Sequence, residues 1–242
     1  MGHAIFEQRS GILGVGVVTP CGVITADQLI RLGELAKKIT VHGMKMTTRQ
    51  TLVFLINAAD LKQFTSEIEK TGLQIGVFGN IVRNVKGCAG NDKLCPRSFG
   101  DAFGLGVALQ EQYMNQPVPK DFKISTAGCA RGCTDPLCAD FGVIAVAADR
   151  FEIYLGGRGG SKVPRHGEKI IDNISSEQVI KVLDYVLEKY RALGAPNERL
   201  CKVVDRCGIN GFVPPAAVYG GKDAADQPSE LDDFQAFLAG KQ

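Results

Sequence analysis

Two pairs of cysteines constrain this chain more than any other feature. Cys88 and Cys95 are separated by six residues and Cys129 and Cys133 by three, with thirty-three residues between the pairs. Four thiolates from two loops can enclose a soft metal centre. Gly87, Gly90, Gly128 and Gly132 flank them and leave room for a cofactor against the backbone. Arg83, Asn84, Lys86 and Arg131 set cations and a polar amide around the same segments. On spacing alone three readings stay open: an iron–sulfur cluster, a structural zinc held by four cysteines, and buried thiols acting as small apolar residues. Structural zinc pairs are usually closer than the first pair here.

The chain holds eight cysteines in 242 residues. Met1–Ser10 lacks a signal-peptide core and no apolar run reaches membrane-spanning length, so a cytoplasmic protein without a membrane partner is expected. In a reducing compartment such cysteines point to metal or redox chemistry before disulfides. A net charge of +2 offers no clustered excess for tracking nucleic acid, while small anions remain open as ligands.

Local patterns predict an α+β chain. Leu13–Thr19 reads as a strand stopped by Pro20, and Thr25 with Gln28 forms a capping box ahead of a helix to about Ile39. Two extended pieces follow from Met44 to Ile56 around Thr47-Thr48-Arg49-Gln50, then a helix capped by Asp60 and ending at Gly72. This is a small ferredoxin-like layer. Further on, a helix is expected over Phe99–Tyr113 and a hairpin over Phe141–Ala147 and Phe151–Leu155. A cationic loop around Arg158 follows, then a helix opened by the capping box Ser175 with Gln178, and another over Glu198–Cys207. From Val213 the tail reads as extended and surface-lying, with a short helix near 231–238. Cys138, Cys201 and Cys207 are expected as buried thiols.

Five short words occur in one order: Thr47-Thr48-Arg49-Gln50, Arg83-Asn84-Val85 before Cys88, Phe122-Lys123-Ile124, Gly128-Cys129 with Cys133, and Asp140-Phe141-Gly142. Together they resemble the siroheme-dependent sulfite and nitrite reductases, over about Gly14 to Gly208. The resemblance implies a ferredoxin-like half-domain over 1–75, a cluster- and siroheme-binding α+β domain over 76–212 and a C-terminal extension over 213–242. It implies a 4Fe–4S cluster on Cys88, Cys95, Cys129 and Cys133, with the Cys133 thiolate also ligating the siroheme iron. Arg49, Arg83, Asn84, Lys86, Arg131 and Arg158 are the implied partners of the polycarboxylate siroheme, with Lys162 and Arg165 as further candidates.

Arg49, Arg83 and Lys123 match the family's substrate-side cations. The family's Lys-x-Lys pair is incomplete, because Asp121 stands in the first place, beside Lys120. The first cysteine pair is also one residue wider than the family's common spacing. The implied activity is six-electron reduction of a small oxyanion, sulfite to sulfide or nitrite to ammonia, with electrons from a ferredoxin-like donor. Alternatives are an electron-transfer or siroheme-carrying subunit and a structural zinc module on the four cysteines. Gly156–Gly160 lacks the strand-to-helix setting of a dinucleotide loop. Larger members resemble two fused copies of this unit. A single copy therefore points to a homodimer or higher assembly in which the cysteines of one subunit face Arg49, Arg83 and Lys123 of its mate.

Overall fold

The computed structural model describes residues 2–220. Strands β1 (Gly2–His3), β2 (Ile5–Glu7) and β3 (Leu13–Val18) lead through a 3-10 turn at Pro20–Gly22 into α1 (Ala26–Lys38). Next come β4 (Val41–Met46), β5 (Thr51–Ile56), α2 (Leu61–Glu69), β6 (Gln74–Ile75) and β7 (Val77–Phe78). Strand β8 (Lys86–Gly87) precedes α3 (Ala102–Tyr113), β9 (Ile124–Ala127), β10 (Phe141–Ala147), β11 (Arg150–Leu155) and β12 (Glu168–Ile174). Helices α4 (Ser176–Leu193), α5 (Leu200–Cys207) and α6 (Ala216–Tyr219) complete the described chain.

The first half is an antiparallel sheet in the order β2-β3-β5-β4, with β6 also paired to β3. Both backbone and side chain of Thr25 and Gln28 close the expected capping box, at 3.0 and 3.1 Å, which satisfies two donors that the start of α1 leaves unpaired. Leu32 and Leu35 of α1 and Phe64 and Ile68 of α2 then bury against Val15, Val17, Phe54 and Ile56 of the sheet. Apolar burial of this kind holds the layer together.

The second half is built on a mixed sheet, β12-β11-β10-β9-β8. Strands β8, β9 and β10 are parallel neighbours, whereas β10, β11 and β12 run antiparallel. Phe141–Ala145 is buried without alternation, as a strand covered on both faces must be. The turn at Pro20–Gly22 sends Cys21 out of the first half into this larger core. A Cβ on Gly87 or Gly106 would stand 2.9 or 3.1 Å from Cys21 Sγ, so both glycines are needed for the close approach.

The α+β class and the ferredoxin-like start hold. Several boundaries differ for local reasons. Asp60 makes no side-chain cap, because it is already helical at φ −86° and ψ −8° at the end of a 3-10 turn. Helix α3 begins at Ala102, where Asp101 accepts the Gly104 N–H at 2.7 Å, while the Phe99 N–H is taken by the Gly128 carbonyl. Val213–Tyr219 is not surface-lying: Pro214, Ala216 and Tyr219 are buried, the latter two in the larger core. The helix expected at 231–238 lies outside the described residues. Cys201 is buried, Cys138 is half-buried, and Cys207 is exposed, contrary to the expectation of a core thiol. Among the described residues no helix is long and apolar enough to cross a membrane.

Candidate metal centre and anion cavity

Adjacent parallel strands carry the two cysteine loops to one edge of the sheet. Gly87 of β8 lies opposite Thr126 of β9, so Cys88 leaves one strand end where Gly128 and Cys129 leave the next. The Cys88 N–H donates to the Thr126 carbonyl at 3.1 Å, and the Gly128 N–H donates to Cys88 Sγ at 3.1 Å. A Cβ on Gly90 would fall 2.7 Å from Cys88 Sγ and 2.8 Å from Gly128 Cα. Glycine is therefore what lets the two loops touch.

Each loop is fixed from within. The Asn91 side-chain carbonyl accepts the N–H groups of Lys93 and Leu94, its backbone carbonyl accepts that of Cys95, and Ser98 N–H returns to the Cys95 carbonyl. In the second loop Gly132, at φ +58°, donates to the Cys129 carbonyl and accepts from Asp135. Thr134 Oγ1 donates to the Thr126 carbonyl at 2.7 Å, which folds Cys133 back toward the end of β9. Burial pushes the Cys88 thiol above its ordinary pKa, against the pull of the Gly128 and Gly90 N–H groups, and the nearby Cys133 and Cys129 add to the rise. Cys88, Cys95 and Cys129 are half-buried, and Cys133 is exposed.

Beside these loops lies a cavity of about 400 Å³, lined by Thr48, Arg49, Lys86, Lys123, Thr134 and Asp135 together with Ser125, Cys138 and Gly159. The turn between β4 and β5 delivers Arg49. Its guanidinium donates to the Asn84 carbonyl, and Asn84 Nδ2 returns a bond to the Arg49 carbonyl at 2.7 Å. Gln50, at φ +56°, clamps both backbone groups of Gly87, accepting its N–H at 2.9 Å and donating to its carbonyl at 2.7 Å. The Thr-Thr-Arg-Gln word thus fixes the strand that ends in Cys88.

Lys123 of the lining shares Asp121 with Arg83, at 3.7 and 3.4 Å. Arg199 reaches Asp121 at 3.8 Å and both oxygens of fully buried Asp140, at 2.8 and 3.1 Å. Burial opposes the charge on Arg199, but Asp140 and Asp121 outweigh it and lift its pKa. Burial also pushes Arg49 down to about 10, helped by the charge of Arg83, and lowers Lys123, helped by Arg199.

Two family profiles match in register with the two halves. Residues 6–71 match the nitrite/sulfite reductase ferredoxin-like half domain, and residues 78–219 match the nitrite and sulphite reductase 4Fe-4S domain. The chain belongs to the nitrite and sulfite reductase family.

Among relatives in this family, a nitrite reductase (NAD(P)H) of Emericella nidulans is 36% identical over 183 residues, covering 74% of this chain but only 16% of that protein. An assimilatory-type sulfite reductase of Nitratidesulfovibrio vulgaris is 27% identical over 197 residues, covering 80% of this chain and 87% of the relative. The crystal structure of dissimilatory sulfite reductase I superposes with a TM-score of 0.75 at 16% identity, over 90% of this chain and 71% of that one. The chain thus spans about a sixth of the first relative's length.

A 4Fe–4S cluster with siroheme suits the residues present. The two cysteine loops meet across glycines whose Cβ atoms would fill the contact, and the Nε atoms of Arg49, Arg83 and Arg158 are buried without a hydrogen-bond partner among the described residues. Of the cations expected around siroheme, Arg49 and Lys86 line the cavity. Arg83 lies behind it over the Phe78 ring, and Arg131 is exposed on the second cysteine loop. Arg158 is paired through its backbone to Arg165, whose side chain engages Asp205. Asn84 is spent on the Arg49 turn. The expected facing of one subunit's cysteines by Arg49, Arg83 and Lys123 of its mate concerns the assembly; within one chain Arg49 and Lys123 border the same cavity as Thr134, which follows Cys133.

Reasoning from the sequence overlooked Arg199 and assigned no role to Gln50. Arg199 stands ahead of α5 with its partner Asp140 fifty-nine residues away, so no local pattern marks it. The depressed pKa of Lys123 has a measurable consequence. Because burial makes its ammonium give up its proton earlier than usual, a small anion held beside it is expected to bind more weakly as pH rises toward the ordinary lysine value of about 10.4, tracked with nitrate by calorimetry at constant ionic strength. Affinity unchanged up to about pH 10.5 would contradict a place for Lys123 beside the bound anion.

Proposed function

We propose that this protein is a siroheme- and iron–sulfur-dependent oxidoreductase that reduces a small oxyanion, sulfite to sulfide or nitrite to ammonia, with electrons from a ferredoxin-like donor. The observation that carries the reading is the juxtaposition of two cysteine loops with a cation-lined cavity at the ends of β8 and β9. In this reading Cys88, Cys95, Cys129 and Cys133 hold the cluster, and Cys133 also holds the siroheme iron. Among the described residues no three His, Cys, Asp or Glu side chains are gathered to hold one metal ion, which bears on a cluster and on a structural zinc alike.

When bound, the cluster and siroheme supply single electrons and the iron at which the oxyanion is reduced. The chain's residues do the rest. Arg49 and Lys86, with Arg83 and Arg158 nearby, offset the cofactor's carboxylates. Arg49 and Lys123 attract and orient the oxyanion, and the Lys123 ammonium carries a proton at Nζ for oxygen leaving as water. Gln50 and Asn84 keep this apparatus in register by tying the Arg49 turn to Gly87 and to the Asn84 backbone.

A cavity of about 400 Å³ lies within the usual range for small ligands, and a polycarboxylate tetrapyrrole extends beyond it. A second copy of the chain, in a homodimer or higher assembly, is the proposed cover for the remainder. Turnover with reduced viologen should consume sulfite or nitrite, and light scattering with absorbance on one sample should show a dimer carrying siroheme. No turnover by the fully loaded protein would leave the electron-transfer or siroheme-carrying reading, which the carboxylate of Asp121 among the cations favours. A monomer with complete siroheme occupancy would remove the dimer.

A further inference from the structure

Asp121 places a negative charge where the cation set is densest. Its oxygens stand 3.4 Å from Arg83, 3.7 Å from Lys123 and 3.8 Å from Arg199, and its side chain is 19% exposed. All three cations are themselves mostly screened from water, at 20%, 24% and 14% exposure, so solvent weakens these interactions less than on an open surface. Lys123 lines the cavity, and its ammonium stands 3.7 Å from Asp121, which is not among the lining residues. Asp140, just ahead of β10, faces the same group, pairing with Arg199 and accepting the Lys123 N–H at 3.0 Å. Lys86 is engaged by Asp135, at 3.1 Å.

Thus Arg49, Arg83, Lys123 and Arg199 are set against two carboxylates. A lysine at position 121, as in the related Lys-x-Lys word, would make it five cations against one. A doubly charged ligand gains twice the attraction of each cation, but it also meets twice the repulsion of Asp121. The net charge of the surrounding wall decides how far the second ligand charge is rewarded.

We propose that Asp121 is a positioning residue that sets the charge preference of the cavity, reducing the advantage that a dianion holds over a singly charged oxyanion such as nitrite or hydrogensulfite. The inference deepens the oxyanion-reductase reading and rests on it for the identity of the site. Nitrate and sulfate serve as non-turnover probes of one and two charges. Each is titrated calorimetrically into the full chain, purified anaerobically, at about pH 7.5 and constant ionic strength, and iron, sulfide and siroheme are measured on the same samples. Loss of the cofactors would therefore register against the reductase reading, separately from the anion ratio.

The wild-type chain should show a smaller sulfate-over-nitrate advantage than a chain without the Asp121 charge. In Asp121→Asn, sulfate affinity should rise about tenfold and nitrate affinity about threefold or less, as expected when one nearby charge is removed from a partly screened site. Asp121→Glu should keep the wild-type ratio, which a purely packing role would not explain. A nitrate-to-sulfate ratio unchanged in Asp121→Asn would overturn the proposal. So would failure of all three chains to bind either anion, and if the asparagine variant does not fold, Asp121→Ser is read by the same ratio.

Discussion

Arg199→Ala should destabilise the protein by about 3–5 kcal/mol in urea unfolding at about pH 8, the scale on which a buried ion pair responds to losing one partner. Asp140 is fully buried, and Arg199 provides the paired charge that compensates it, at 2.8 and 3.1 Å. With the guanidinium gone, only the Lys123 N–H hydrogen bond and more distant cations remain to stabilise the carboxylate. Burial already pushes the Asp140 pKa upward, and the variant removes the main force pulling it down. The folded chain then binds a proton that the unfolded chain has released, so stability falls as pH rises above the unfolded carboxylate value of about 3.9. The deficit should accordingly shrink at about pH 5. Adding Asp140→Asn should recover much of it, since the charge that was stranded is then absent. A loss below about 1 kcal/mol, or one that is the same at both pH values, would show that the pair does not bear on stability as its geometry indicates.

Cys95→Ala, tested beside Cys88→Ala and Cys129→Ala, should strip most of the iron and acid-labile sulfide and lower viologen-driven turnover by about a hundredfold or more, the upper end of what loss of a supporting group does to a metal site. Cys133→Ala should remove siroheme as well, because the proposed bond to the tetrapyrrole iron goes with the thiolate. The matched control is Cys207→Ser, an exposed thiol at the end of α5. It should keep its iron and its rate. Equal losses in the control and the four variants would point to general damage, and no loss in Cys95→Ala would remove that residue from the proposed ligand set.

What was legible in the sequence was mostly what short range decides. Thr25 with Gln28 and Ser175 with Gln178 both formed capping boxes, because a side chain and a backbone three residues apart need no other element to meet. The hairpin of β10 and β11 was readable for the same reason. Strand β12 was not, since Glu168, Lys169, Asp172 and Asn173 mask its apolar positions and its order comes from pairing with β11. Likewise the adjacency of the cysteine loops follows from β8 and β9 lying parallel, a contact between segments far apart in sequence that spacing along the chain does not show. Asp121 could be seen as a departure from a family word, but its three cationic neighbours come from the residue ahead of β9, the β7–β8 connection and the start of α5. Only the folded chain brings them together.

The most direct test of the proposed centre is metal and cofactor content. The full chain, purified without oxygen, would be assayed on a single sample for iron, acid-labile sulfide, siroheme and zinc, with its visible spectrum recorded alongside. The expected result is a coloured protein with about four cluster irons and about four sulfides per chain, plus siroheme. A colourless protein with one zinc per chain, no labile sulfide and no tetrapyrrole would contradict it.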